Sequence, residues 1–318
     1  MKTILIDRYG PPDVLDYRDR DLPVAKGDRV LVNVIASSVN PVDWKVRRGD
    51  FGLISGFDFP KALGSDVAGI VEAVGDSVET FQPGDEVFGF ISPLEGGAYA
   101  EYLTIPAENL AAKPTRLSFA EAAAVPLAGL TAMQALLDLG ELRPGFSVLI
   151  NGASGGVGSL AVQLAKAFEA NVTGVCSASN QGMVSQLGAD QVIDYTETDF
   201  TRQDLPKYDL IFDAVGKRSF AECSQVLTSE GIYVSTLPTV ELVGAITQTF
   251  FFPGPKARLV LAQPKSRDLN SLAELLDSGK VKAVIDRTYA LDDIAQAHRY
   301  SESQRAVGKI VITIGNRQ

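Results

Sequence analysis

The sequence predicts a two-domain α/β protein, on three observations. The first hundred or so residues are β-rich with frequent turns, strands alternate with helices from Ser147 onward, and 318 residues exceed what one ordinary core absorbs. A compact, barrel-like β domain joined to a doubly wound parallel sheet, covered by helices on both faces, satisfies that pattern. Hydrophobic residues make up 46% and charged residues 21%, the balance of a soluble globular chain. No run approaches the roughly 20 apolar residues that span a bilayer, and MKTILIDRYG reads as a short strand interrupted by charge. The expectation is a cytoplasmic protein without membrane anchor or signal peptide. A formal charge of −10 argues against nucleic acid and anionic membranes as partners. Two cysteines, Cys176 and Cys223, suit a reducing compartment better than a disulfide framework.

Taken in order, residues 29–36 and 66–75 are strands rich in β-branched side chains, and 86–90 follows the Pro83-Gly84-Asp85 turn. Ser118 and Glu121 form a capping box for a helix reaching about Leu139, which Pro126 should kink near Gly129-Leu130-Thr131. At residues 147–158, SVLINGASGGVG, an apolar strand passes through a glycine turn into a helix whose Val157, Leu160, Ala161, Leu164, Ala165 and Phe168 recur at helical spacing. Ala153, Gly155 and Gly158 take the three small-residue places of a dinucleotide-binding fingerprint, with alanine for the first glycine. Small residues there let the backbone approach a pyrophosphate, while the helix start offers it free N–H groups and a positive dipole end. Strands follow at 171–176, 191–194, 208–216 and 231–236, with helices between them, then helices at 269–278 and 292–301. The last strand, 308–314, is expected to return to the first domain. The domains are therefore placed at 1–125 with 263–318, and at 126–262.

Over nearly its whole length the chain resembles the medium-chain dehydrogenase/reductase superfamily, and within it the zinc-independent quinone oxidoreductase and enone (alkenal) reductase branch. The resemblance is carried, in order, by Ser38-Val-Asn-Pro-Val-Asp-Trp-Lys45, Leu63-Gly-Ser-Asp-Val-Ala-Gly69, Gln82-Pro-Gly-Asp-Glu-Val-Phe88, Gly129-Leu-Thr131, the glycine turn, Leu187-Gly-Ala-Asp190 with Asp194-Tyr195, and Gly308-Lys-Ile-Val. It implies a GroES-like catalytic domain made from the N-terminal half and the C-terminal tail, a Rossmann domain between them, a nicotinamide cofactor, and a homodimer formed through the Rossmann sheets. Zinc alcohol dehydrogenases of the superfamily place cysteine where this chain has Asn40, a His-Glu pair at Ser65-Asp66 and a further cysteine near Ala128. Asp66 alone cannot hold zinc, so the chemistry is expected to be metal-free. The only histidine, His298, sits at helical spacing from Ile294 and reads as a satisfied packing residue.

Without a Lewis acid, the natural reaction is hydride transfer to a carbon already activated by conjugation, in an enone, an enal or a quinone. The resemblance places Asn40 near the nicotinamide and suggests Lys45 as a donor to the developing oxyanion; a solvated lysine paired with Asp43 or Asp50 is the alternative. Trp44 and the Phe57-Asp58-Phe59 loop either wall the substrate pocket or simply pack. An NAD enzyme puts an acid after its second strand; here Cys176-Ser177-Ala178-Ser179-Asn180 has none, which favours NADPH, and no cation, which makes the preference modest. Ser154, Gly155, Gly156 and Val157 are the cofactor-binding turn. Ser177 and Asn180 are donors to a 2′-phosphate, Tyr195 stacks nearby, and Thr131 approaches the nicotinamide ribose. The resemblance implies that Leu237 and Phe251, the latter within Phe250-Phe251-Phe252, line the nicotinamide pocket; the alternative for the phenylalanines is core or dimer packing. The expected function is NADPH-dependent reduction of the activated C=C bond of α,β-unsaturated carbonyls. Quinone reduction is the alternative within the same class, and a non-catalytic NADPH-binding sensor the alternative from another.

Overall fold

The structure, a computed structural model, describes residues 1–315 apart from 203 and 205. Two compact units make up the chain. The first joins Met1–Ala128, Pro264–Gly279 and the stretch from Ala283 through the last strand; the second joins Gly129–Gln263 and Lys280–Lys282.

The first unit opens with strands β1 (Lys2–Ile6), β2 (Asp16–Asp19) and the long β3 (Arg29–Val39), followed by helices α1 (Pro41–Arg48) and α2 (Gly52–Ser55). Strands β4 (Lys61–Ala62), β5 (Asp66–Val74), β6 (Glu86–Phe90), β7 (Tyr102–Pro106) and β8 (Leu110–Ala112) complete its N-terminal part. Ser118 caps helix α3 (Phe119–Ala123): its Oγ accepts the Glu121 N–H and the Glu121 carboxylate accepts the Ser118 N–H. The expected kink near Gly129 is displaced. The break falls at Ala124 and Val125, and Pro126 opens helix α4 (Pro126–Met133), where its missing N–H has no partner to lose. Gly129, Leu130 and Thr131 are therefore helical, and a π-helical stretch, Gln134–Leu139, continues from them.

The second unit is the alternating region. Strand β9 (Ser147–Asn151) leads through the glycine turn to α5 (Gly156–Ala167), then β10 (Asn171–Cys176), α6 (Gln181–Gln186), β11 (Gln191–Asp194), β12 (Tyr208–Asp213), α7 (Phe220–Ser224), β13 (Leu227–Ser235), α8 (Val240–Phe251) and β14 (Lys256–Leu259). The strands lie in the order β11-β10-β9-β12-β13-β14, all parallel. That is a doubly wound sheet whose order reverses around β9, which puts the ligand crevice outside the carboxyl ends of the central strands. Val148, Leu149 and Ile150 on β9 are fully buried, as a strand covered on both faces requires.

Helix α9 (Ser266–Asp277), strand β15 (Ile285–Ala290), helix α10 (Ile294–Glu302) and strand β16 (Lys309–Thr313) end the fold. Strand β16 returns to the first unit as expected, pairing antiparallel with β3 in a sheet ordered β15-β16-β3-β5-β6-β8, while β7 also pairs with β3. Val30, Val32, Val34, Val67, Val71, Ile310 and Ile312 form the centre of its core.

Candidate functional site

In the second unit the turn after β9 is bonded to the second strand: the N–H groups of Gly152 and Ala153 both donate to the Val175 carbonyl, at 3.1 and 3.0 Å. Gly152 has φ +83°, a left-handed conformation that glycine adopts without strain. A Cβ on Gly158 would lie 2.0 Å from the Gly152 carbonyl oxygen, so α5 packs directly on the turn only because residue 158 has no side chain. Gly155 differs, since a Cβ there would meet that oxygen at an ordinary 3.4 Å. Its bareness matters only to a molecule approaching from outside. Gly155 is the N-cap of α5, and among the described residues no side chain caps that helix. Its first-turn N–H groups and dipole end are thus presented to a bound anion.

Three predicted residues meet beside this helix end. Asn180 Nδ2 donates to Ser154 Oγ at 3.2 Å and to Ser177 Oγ at 3.3 Å, and no carboxylate follows β10. Tyr195, exposed, joins them through its N–H, which donates to the Cys176 carbonyl at 3.2 Å. Leu237 follows the carboxyl end of β13, half-buried over Gly216, where a Cβ would come within 2.4 Å of its Cδ1. Thr131 lies in α4. Phe251 does not join this group. Helix α8 runs back against the strand direction, so Phe251, at its far end and shortly before β14 begins, stands at the amino edge of the sheet, 74% exposed.

Asp213 escaped sequence reasoning. Fully buried at the end of β12, its Oδ1 accepts Asn151 Nδ2 (2.9 Å) and the N–H groups of Val215 (3.0 Å) and Gly216 (2.8 Å), and its Oδ2 accepts the Tyr233 hydroxyl (3.0 Å). It ties β9 to β12 and fixes the following loop at the crevice; a carboxylate closing the apolar run Leu210-Ile211-Phe212 was the available signal. Both cysteines are buried; burial pushes the Cys176 thiol up to about 11 and the Cys223 thiol further, so neither is a nucleophile.

In the first unit, sheet register gathers a polar cluster. The pairings Ile310 with Val39 and Ala36 with Ala68 bring Lys309 beside Asn40 and Ser38 beside Asp66. Lys309 Nζ donates to Asn40 Oδ1 (2.6 Å) and Asp66 Oδ2 (3.2 Å), and Asn40 Nδ2 donates to Asp66 Oδ2 (2.8 Å). The Ser38 hydroxyl also donates to Asp66 Oδ2, and the Leu127 N–H to Asp66 Oδ1 at 2.7 Å. All four side chains are buried. Asn40 also opens α1, its N–H donating to Asp43 Oδ2 (2.7 Å), while Asp43 accepts the Ser65 and Tyr99 hydroxyls at 2.7 and 3.0 Å. Burial raises the Asp43 carboxyl to about 6 against the lowering effect of those donors.

Lys45 lies apart, half-buried, its ammonium 5.7 Å from the Trp44 ring centre and its pKa lowered by desolvation. The pairing foreseen with Asp43 or Asp50 is not made, because Asp43 is buried among its own donors and Asp50 takes Arg48. Trp44 is a packing residue, buried and donating to Ser301 Oγ at 3.1 Å; Phe57 is 69% exposed. His298 is buried as expected but is not satisfied. Arg47 donates to its Nδ1 at 3.2 Å, and its Nε2 has no partner among the described residues. Burial, helped by the Arg47 charge, pushes it down to about 3.

The residues at the superfamily's zinc position do not fit a metal. Among the described residues no three His, Cys, Asp or Glu side chains gather, and the one carboxylate present, Asp66, is paired with a buried ammonium that would repel a dication.

Such a unit carrying a β-rich sheet, with a doubly wound nucleotide-binding sheet alongside it in the chain, defines a dehydrogenase/reductase architecture, and the chain belongs to the medium-chain dehydrogenase/reductase superfamily. The Alcohol dehydrogenase GroES-like domain model matches residues 26–115 and the Zinc-binding dehydrogenase model residues 187–312. The chain is 40% identical over 324 residues to the 2-methylene-furan-3-one reductase of Solanum lycopersicum, and 37% identical over 324 residues to the chloroplastic NADPH-dependent alkenal/one oxidoreductase of Arabidopsis thaliana. Each alignment covers 98% of this chain and 79% of the relative. Among solved structures, the quinone oxidoreductase from Coxiella burnetii superposes with a TM-score of 0.91 and 34% identity over 99% of both chains. No helix among the described residues is long and apolar enough to cross a membrane. Because one relative is named as chloroplastic, the expected cytoplasmic address does not follow from the family.

Proposed function

We propose that this protein is an NADPH-dependent reductase of the activated C=C bond in α,β-unsaturated carbonyls. The observation that carries the reading is the uncapped start of α5 beside the Ser154, Ser177 and Asn180 cluster, at the carboxyl end of a doubly wound sheet. The helix start suits a pyrophosphate, and a hydroxyl and amide cluster free of carboxylates accepts a 2′-phosphate that an acid would repel. When bound, the cofactor supplies the hydride. As charge moves onto the substrate carbonyl oxygen, hydrogen-bond donors stabilise the enolate, and Asn40 and Lys45 are the residues proposed for that part. Water or a side chain then protonates the α-carbon.

Quinone reduction is the second reading, supported by the name of the Coxiella structure. A homodimer is part of the proposal. The outer edge of β14 has no strand partner among the described residues, and Phe250, Phe251 and Phe252 beside it are 80%, 74% and 62% exposed. The net charge of −10 disfavours nucleic acid and anionic membranes as partners.

The test is oxidation of NADPH and of NADH with a small enone and a 1,4-quinone in parallel, on a preparation whose mass is read by sedimentation velocity. Enone turnover with NADPH that falls in Lys45→Ala, by a dimer, is the expected result. Quinone-only turnover selects the second reading, and tight NADPH binding without turnover of either acceptor selects a sensor.

A further inference from the structure

Asn40 is a neutral amide held from both ends. Its oxygen faces the Lys309 ammonium at 2.6 Å and its nitrogen faces the Asp66 carboxylate at 2.8 Å. The reversed amide would set an NH₂ against an ammonium and an oxygen against a carboxylate, two repulsive contacts in place of two charge-assisted hydrogen bonds. Asp66 is itself immobilised, since Ser38, Asn40, Lys309 and the Leu127 N–H all donate to it. The three strands β16, β3 and β5 are adjacent in one sheet, so the relative positions of Lys309, Asn40 and Asp66 are set by backbone pairing and not by loop placement. One Nδ2 hydrogen of Asn40 goes to Asp66; the second has no acceptor among the described residues.

From this geometry we infer that Lys309 is a positioning residue for the reduction: its ammonium, anchored by Asp66, locks Asn40 in the single orientation that presents the second amide hydrogen as a donor to the reacting pair. Lys309 acts through Asn40 and touches neither reactant. The kinetic part of this inference rests on the reductase reading; the orientation of the amide does not. The ion pair also leaves the donor in a locally neutral setting, so that the charge arriving on the substrate oxygen meets a dipole aimed at it without facing the bare Asp66 carboxylate.

The experiment is a double-mutant cycle of Lys309→Met and Asn40→Ala. Methionine keeps the length of the side chain and Asp66 retains its Ser38, Asn40 and Leu127 donors; because the variant leaves the buried Asp66 without its cation, its fold is checked first by urea unfolding. Each single variant should lose roughly tenfold in kcat, as a misplaced group does, with NADPH affinity, titrated by nicotinamide fluorescence, within about twofold of wild type. The double variant should be no slower than Asn40→Ala alone. Losses that multiply, or a tenfold loss of NADPH affinity with kcat unchanged, would overturn the inference by making Lys309 an independent catalytic or cofactor ligand. If Lys309→Met fails to fold, Lys309→Gln, which keeps a donor on a shorter arm, enters the same cycle. A second readout needs no turnover. In protein labelled with ¹⁵N-asparagine, the Asn40 side-chain amide, assigned by its loss in Asn40→Ala, should show slow hydrogen exchange in wild type and fast exchange in Lys309→Met. An unchanged amide would sink the inference even in an active enzyme, while an inactive wild type with the expected amide behaviour would sink only the reductase reading.

Discussion

The chain handles hydrogen-bonding capacity in opposite ways in its two units. After β9, the first turn of α5 is left without a capping side chain, and the nearby Ser154, Ser177 and Asn180 bond one another only at 3.2 to 3.3 Å. Around β3, by contrast, Asp66 collects four donors and Asp43 three, all in the buried interior. Unmatched donors at an accessible helix end mark a place where a ligand completes the bonding. A saturated interior cluster marks a place where geometry is fixed before anything binds. The first kind of region should respond to mutation mainly in affinity, and the second mainly in stability and rate.

The strongest way to break that contrast is Asp66→Ala, which leaves the Lys309 ammonium buried without its counter-charge. A loss of about 3–5 kcal/mol in urea unfolding is expected. A loss under about 1 kcal/mol, the range of a solvent-exposed pair, would mean that the cluster is slack and the contrast false.

His298 sharpens the same point through pH. Its folded pKa, about 3, lies below the ordinary 6.5, so the unfolded chain binds the proton more readily, and stability falls as pH drops from about 6.5 toward 3. Between pH 7 and 5 this contributes about 2 kcal/mol of destabilisation that His298→Asn should abolish in denaturant titrations at the two pH values. Asp43 opposes it: a carboxyl raised from 3.8 to about 6 regains stability as pH falls through 6 toward 4, so the slope is read against an Asp43→Asn background.

The smallest effect belongs to the open region. Asn180→Ala should weaken NADPH by about 1 kcal/mol, roughly fivefold, the worth of one hydrogen bond, with NADH unmoved. Equal weakening of both cofactors would place Asn180 away from the 2′-phosphate.

How much of this was legible in the sequence divides along the same line. The glycine turn is local: twelve consecutive residues specify a strand, a bend and a helix start, and Ser154, Ser177 and Asn180 lie within 27 positions. The Lys309 contact joins residues 269 apart and exists only because β16 pairs with β3, so no spacing along the chain announces it. Asn40 was singled out by its motif, yet its partners were not. Phe251 departs from its expected place for a related reason. An apolar triplet looks like a pocket wall wherever it falls, and only the direction of α8 shows which end of the sheet it reaches. Pro126 does break the helix, but its preference for the first helical turn moves the break ahead of it.

The placement of β16 also bears on how the chain is made. It is synthesised after every other strand of the two units, and it inserts between β15 and β3, in the interior of a sheet whose members β3, β5, β6 and β8 were synthesised some two hundred residues or more earlier. The second unit needs nothing beyond Lys282. During synthesis the nucleotide-binding unit has all its residues while the first unit still waits with residues 36–39 of β3 unpaired on the side where β7 covers only residues 29–33, a short exposed edge that is closed when Lys309 and its neighbours arrive.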